Sequence, residues 1–234
     1  MEQGQSKPQF VMLAGPSGSG KTTFVNNHPE LQEKIPHLVT PDVFMDRFTH
    51  LSSDEAHEEC VHIAKAQKQE LIESRQSFMQ ESILSSDRKV QELTRMKERG
   101  YETTLIYMCL NDASENQERV QHRIENGGNV VASEEVARAY EASLQNLPKA
   151  IVLADYAELY DNSVPGRPHQ HLVTVEQGIA TEHVERMPGW VERAFPDGVQ
   201  AHLDAHQARQ QEQQAQQDQQ SQVRQRRRPD LGLG

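Results

Sequence analysis

The stretch from Gln9 to Phe24 constrains the fold more than any other part of the chain. Gln9-Phe10-Val11-Met12-Leu13-Ala14 is an apolar run without polar alternation, the pattern of a parallel strand buried on both faces. It passes directly into Gly15-Pro16-Ser17-Gly18-Ser19-Gly20-Lys21-Thr22, which fills every fixed position of G-x-x-x-x-G-K-[ST]. Lys21-Thr22-Thr23-Phe24 then reads as a helix start. Strand, glycine turn and helix are the context in which this spacing makes a phosphate loop. Glycines at 15, 18 and 20 permit backbone angles closed to other residues, so successive N–H groups can face inward as an anion nest. The helix N-terminus adds partial positive charge behind them. Lys21 is expected to bridge β- and γ-phosphates, and the Thr22 hydroxyl to ligate Mg²⁺. Gly15, Pro16, Ser17, Gly18, Ser19, Gly20, Lys21, Thr22 and Thr23 are therefore the candidate ATP-binding residues. The motif says nothing about how the triphosphate is used.

Downstream, strand-like and helix-like segments alternate. His37–Thr40, Ser77–Leu84, Thr103–Leu110, Ala157–Tyr160 and His171–Val175 read as strands. Ser52 and Glu55 make a capping box that opens a long polar helix ending near Gln76. Asp87–Arg99 carries Val90, Leu93 and Met96 on one face, basic residues in its last turn and Gly100 at its stop. Two further helices flank Asn126-Gly127-Gly128-Asn129. Such alternation predicts a three-layer α/β sandwich with a mainly parallel sheet covered by helices. Residues 1–204 are expected to form this domain, with a helical lid at about 112–147. Residues 205–234 form a Gln/Arg-rich tail, either disordered or an extended helix.

Composition narrows the class. The formal net charge is −11. The tail opposes its five arginines with Glu212, Asp218 and Asp230, so residues 1–204 are more acidic than the whole. An acidic body repels nucleic acid and demands a local positive pocket for any polyanion. The chain has two cysteines, Cys60 and Cys109, both in apolar or amphipathic stretches, which excludes a disulfide scaffold. No run of about 18 apolar residues is present, and MEQGQSKPQF lacks an apolar signal core. These features read as a cytoplasmic protein with no membrane partner. His57, His62, His169 and His171 lack the spacing of a metal set, and Trp190 reads as an anchor for the last helix.

Three uses of the triphosphate compete: a motor or switch, a small-molecule kinase, and a kinase for nucleic-acid ends. A transporter-type ATPase signature helix and a base-reading Asn-Lys-x-Asp are both missing. A kinase needs a group that orients or deprotonates the acceptor hydroxyl, and cations for the moving phosphoryl. In a parallel sheet the carboxyl ends of the strands open on the face of the phosphate loop. Asp42 follows the second strand and Glu81 ends the third, so both are expected in that crevice. Asp42 also reads as a helix cap, and Glu81 as a sheet-edge carboxylate. Arg119, Arg123 and Arg138 bracket the Gly127-Gly128 turn like a hinged flap, or are solvated surface charges.

At this point a resemblance becomes specific. AGPSGSGKTTF (14–24), TPDVF (40–44), SFMQESILSS (77–86), GYETTLIYMCL (100–110), RVQHRIENGGNVV (119–131), YEASLQNL (140–147) and LYDNS (159–163) occur in the order and spacing of the zeta toxin family. The chain most resembles the chromosomal branch of these P-loop kinases, loosely described as predicted ATPases. The resemblance implies transfer of the ATP γ-phosphoryl to a hydroxyl of a small metabolite, UDP-N-acetylglucosamine in characterised members, and an antitoxin partner. It implies Lys21, Asp42, Arg123 and Arg138 as catalytic, with Asp42 as the base. Asp42, Glu81 and Arg119 are the implied acceptor contacts, with ATP and Mg²⁺ as cofactors. Asp161 matches an acidic-asparagine end without an assigned role. The chain departs from the branch in its lid, where Asn129 replaces His and Ala132 replaces Pro. Of three lid arginines only Arg138 remains, with Ala139 and Ala142 at the other places. The rival outside the kinases is an ATP-binding switch that docks a partner through its tail.

Overall fold

β1 (Gln9–Ala14) runs through the middle of a seven-stranded sheet in a computed structural model that describes residues 7–126, 128 and 130–226. Gly127 and Asn129 of the anticipated lid turn, and Arg227 and Arg228 of the tail cluster, lie outside the described residues. The strand order is β2 (Leu38–Val39), β3 (Phe78–Ser82), β1, β4 (Glu102–Cys109), β5 (Tyr156–Asp161), β6 (Gln170–Glu176) and β7 (Ile179–Glu182). β2, β3, β1, β4 and β5 are parallel, with Leu13 in register with both Glu81 and Ile106. β1 therefore sits where connections diverge to opposite sides, and the crevice beyond its carboxyl end is the natural ligand site.

The β1 pattern is explained by what covers it. Phe10, Met12 and Ala14 join one core, with Cys60, Leu71, Val90, Leu93, Met96, Tyr140 and Trp190. Val11 and Leu13 join a smaller core on the other face, with Phe24, Val25, Ile35, Met79 and Met108. The small face is closed by α1 (Lys21–Asn27) and α2 (Pro29–Lys34). The large face is closed by α3 (Ser53–Glu73), α4 (Asp87–Glu98), α5 (Ala113–Glu125), α6 (Ser133–Ile151), α7 (Gly189–Ala194) and the start of α8 (Val199–Arg226). The Ser52 capping box forms as expected, and Gly100 stops the chain after α4 at φ 81°. Both thiols are buried and free, and burial pushes Cys109 up to about 12. Among the described residues no helix is long and apolar enough to cross a membrane.

The sheet is mainly parallel as expected, and what the sequence did not specify lies at one edge and in the tail. The last strands are antiparallel, because the short link from β5 to β6 cannot make a parallel crossover. β7 itself escapes the sequence reading; Gln177 (φ 52°) and Gly178 (φ 79°) form the two-residue turn that pairs it with β6. The tail, read as disordered or helical, continues α8, whose 28 residues extend about 42 Å at 1.5 Å per residue. The first turns of α8 are anchored: Val199 and Leu203 are buried, and His202 Nε2 donates to the Pro148 carbonyl at 2.8 Å. From Gln207 to Gln219 every side chain is exposed.

Candidate functional site

The loop at residues 15–20 leaves β1 with glycines at forced angles and its outside clamped. Gly15 has φ +141°, and a Cβ there would lie 2.0 Å from the Met108 carbonyl oxygen. Gly20 has φ +96°, and its Cβ would meet Asn162 Nδ2 at 2.3 Å. Neither position accepts a side chain without moving its neighbour. Gly15 N–H donates to the Ser82 carbonyl at 3.1 Å, tying the loop to the end of β3. On the outside, two amides pull loop carbonyls away from the nest. Asn116 Nδ2 on α5 donates to the Ser17 carbonyl at 2.6 Å, and Asn162 Nδ2 to the Ser19 carbonyl at 2.9 Å.

Lys21 folds back over this loop. Its Nζ donates to the carbonyls of Gly15 and Pro16, each at 2.9 Å. Burial lowers it to about 8, and the Arg123 guanidinium pushes the same way, against the carboxylates of Glu81 and Asp42. An ammonium held at the edge of its protonated range, with its donors on loop carbonyls, is poised to transfer those donors to phosphate oxygens. Thr22 Oγ1 at the next position donates to Glu81 Oε1 at 3.3 Å. Burial raises Glu81 above the ordinary carboxylate range and the Asp42 charge adds to this, while Lys21, Thr22 and Arg123 pull it back.

These residues share one cleft of about 1320 Å³. Asp42 enters it from the 3₁₀ helix Pro41–Phe48, which β2 launches; the helix is capped at Thr40, so Asp42 lies in the first turn instead of serving as the cap. Glu81 enters from the end of β3, and Arg119 and Arg123 from α5. Arg119 Nη2 donates to the Asn162 carbonyl at 2.7 Å. Arg138 does not join them. It is exposed on α6, whereas Glu135, Val136 and Ala139 line the cleft. The helical phase gives the reason: positions 135, 136 and 139 fall on one face, and 138 is turned away from it. The retained arginine thus occupies the outward position, and an alanine the inward one.

Several lining residues escaped the sequence reading. His57 on α3 lies at the cleft, although the histidine spacing gave it no role; no group of three metal-capable side chains occurs among the described residues. Glu115, Glu118 and Glu135 make the lid acidic, and Lys89 and Arg167 are further cations at the cleft. Asn116 is buried within α5, where a polar residue on a core-facing position was the available signal. Asn162 could have been suspected from its place in LYDNS after a strand end. Asp161, left without a role, is buried and accepts from Trp190 Nε1 at 2.8 Å and from Ser163 Oγ at 2.8 Å.

The oxygen set here suits Mg²⁺: the Thr22 hydroxyl and the Glu81 and Asp42 carboxylates are hard donors beside the phosphate nest. Mg²⁺ commonly takes one or two protein ligands and completes its shell with phosphate and water.

A parallel 2-3-1-4-5 sheet with a glycine nest at the carboxyl end of β1, a lysine and threonine behind it, and a helical pair above defines a P-loop kinase fold. The sequence profile of the family described as "Zeta toxin" matches residues 1–163, and the chain belongs to that family. No curated protein matches the chain significantly. Solved structures share its fold. AvrRxo1-ORF1:AvrRxo1-ORF2 with ATP aligns at TM-score 0.63 and 17% identity, covering 78% of this chain and 62% of that one. The chromosomal PezAT toxin–antitoxin system of Streptococcus pneumoniae aligns at TM-score 0.53 and 17% identity, covering 68% and 69%. The chain therefore spans about 62% of the length of the AvrRxo1-ORF1 structures it matches.

Proposed function

We propose that this chain is an ATP-dependent kinase that moves the γ-phosphoryl of ATP to a hydroxyl of a small metabolite. The observation that carries this is the convergence of Asp42 and Glu81 on Lys21 and Thr22 in one cleft at the ends of three parallel strands. A loop that only held a nucleotide has no need of two carboxylates beside its lysine. In the proposed reaction the acceptor hydroxyl oxygen forms the new P–O bond as the bond to ADP breaks, and Asp42 takes the hydroxyl proton. Lys21, the nest N–H groups and Arg123 hold the charge of the transferring group. Glu81 and Arg119 position the acceptor and donor. Mg²⁺, when bound, neutralises phosphate charge, and Thr22 with Glu81 would hold it. The reaction belongs in the cytoplasm, where ATP is supplied.

UDP-N-acetylglucosamine is the acceptor that family resemblance names, and a protein antitoxin is the partner, in keeping with the similar structure from the PezAT toxin–antitoxin system. Transfer of label from γ-labelled ATP to UDP-N-acetylglucosamine or another nucleotide sugar, lost in Asp42→Asn, is the expected result. Label appearing only on water or on an oligonucleotide end would overturn it. The carboxylates of Asp42, Glu81 and Glu135 in the cleft disfavour a polyanionic strand. A second reading has one observation behind it: the polar, exposed stretch of α8 from Gln207 to Gln219 is suited to docking a partner, with the nucleotide acting as a switch.

A further inference from the structure

Trp190 is 27 residues beyond the end of the family match, yet it is fully buried and its indole N–H is spent on the carboxylate of Asp161. The same carboxylate takes Ser163 Oγ at 2.8 Å through Oδ1 and Ser163 N–H at 3.1 Å through Oδ2. Ser163 Oγ in turn accepts from Asn111 N–H at 2.9 Å, and Asn162 N–H donates to the Cys109 carbonyl at 3.0 Å. Asn162 is thereby fixed from both sides, at the point where β4 and β5 both end. Its two remaining polar groups face the donor half of the cleft. The side-chain amide donates to the Ser19 carbonyl, and the backbone carbonyl accepts from Arg119.

A trans peptide points its carbonyl and its N–H in opposite directions. An amide that draws the Ser19 carbonyl outward therefore aims the Gly20 N–H into the nest. Gly20 has no side chain because Asn162 fills that space: a Cβ would come within 2.3 Å of Nδ2. The orientation of the amide is set by its partner, since a carbonyl oxygen presented to the Ser19 carbonyl would be repelled. Asn162 also holds the guanidinium of Arg119 against the same loop. One residue thus orients a phosphate-binding N–H and a lid cation together.

We propose that Asn162 is a positioning residue for the triphosphate, held by an Asp161–Trp190 latch whose tryptophan lies outside the family match. This rests on the reading that residues 15–22 bind ATP, and it gives Asp161 the role that the sequence left open. Asn116, on the opposite flank, acts on the Ser17 carbonyl in the same sense but has no tie to α7.

The test is a double-mutant cycle read as ATP affinity by calorimetry, with the unfolding temperature of each nucleotide-free variant beside it. Asn162→Ala removes the amide, Asn162→Asp keeps its size but loses the donor, and Trp190→Phe keeps the ring but loses the indole N–H. Loss of one well-made hydrogen bond to the loop predicts about tenfold weaker ATP binding for both Asn162 variants. Trp190→Phe should weaken binding about threefold by the same argument at one remove. The pair Asn162→Ala with Trp190→Phe should lose clearly less than the sum of the two single losses, because the latch acts mainly through the amide and only the backbone contact to Arg119 outlives its removal. In turnover, the KM for ATP should rise more than kcat falls. Asn162 variants that bind ATP like the wild type overturn the proposal, as does a Trp190→Phe loss that adds in full to that of Asn162→Ala. A merely structural role predicts the latter, with lowered unfolding temperatures tracking the loss. If the wild-type chain binds no ATP, the donor reading fails and this inference with it.

Discussion

The phosphate loop and the lid face each other across one cleft and are held in opposite ways. The loop is fixed from outside by Asn116, Asn162 and the Ser82 carbonyl, with its lysine folded onto its own backbone. The lid is a pair of helices whose cleft face offers Glu115, Glu118, Glu135 and Ala139 and whose cations are Arg119 and Arg123. Preorganisation is thus concentrated on the donor side, where the loop backbone is held in place and the ammonium has only to exchange loop carbonyls for phosphate oxygens. The lid side offers few cations, and Arg138 on α6 is exposed and does not line the cleft. On the proposed function, the contrast makes ATP recognition and acceptor handling separable, so that each can be perturbed alone.

Lys21→Ala should break the donor side outright, lowering kcat/KM at least about 10²-fold, as removal of a charge-stabilising donor does elsewhere. Asp42→Asn should cut kcat by about 10²–10⁴ while leaving ATP affinity nearly unchanged, because it removes proton transfer and not phosphate binding. Equal loss of ATP binding in that variant would merge the two sides and contradict the separation. Ala139→Arg sharpens the comparison from the lid side. A guanidinium restored to the inward face should raise acceptor-dependent turnover about tenfold, whereas Arg138→Ala should change it less than about twofold.

pH separates the sides further. Lys21 is lowered to about 8 in the nucleotide-free chain, so it is charged below that value and neutral above it. ATP affinity should fall as pH rises past about 8, and bound ATP should shift that limb upward, which titration calorimetry across pH 6–10 reads directly. Glu81, raised by burial, should give an acid limb in turnover that lies above the ordinary carboxylate range. The smallest effect belongs to the tail. Ending the chain after Asp204 keeps Val199 and Leu203 in place and should leave turnover and unfolding temperature essentially unchanged; lost turnover would favour the docking reading.

The division between what the sequence made legible and what it hid follows the same line. The strand, nest and helix of residues 9–24 were readable because their constraints are local: an apolar run buried on both faces, glycines at forced angles, and a lysine at fixed spacing. Asp42 and Glu81 were reachable through one topological rule, that parallel strands end on a common face. Arg138 failed because spacing from a turn does not fix helical phase, and a shift of one residue turns a side chain from cleft to solvent. Asn116, Asn162 and Trp190 were hidden for a different reason. Their roles are hydrogen bonds between residues 29 to 143 positions apart in the chain, which no local pattern encodes. β7 was missed where the decisive signal was a two-residue turn at Gln177-Gly178.

The central claim is phosphoryl transfer that depends on an acceptor, and ADP release from Mg²⁺-ATP tests it most directly. The measurement compares wild type and Lys21→Ala, each alone and with UDP-N-acetylglucosamine and related nucleotide sugars. The account predicts slow release by the wild type alone, marked stimulation by an acceptor and neither in the variant. ATP binding by the wild type with no stimulation by any nucleotide sugar would contradict the proposed acceptor. Release that is equal in wild type and Lys21→Ala would contradict the kinase itself.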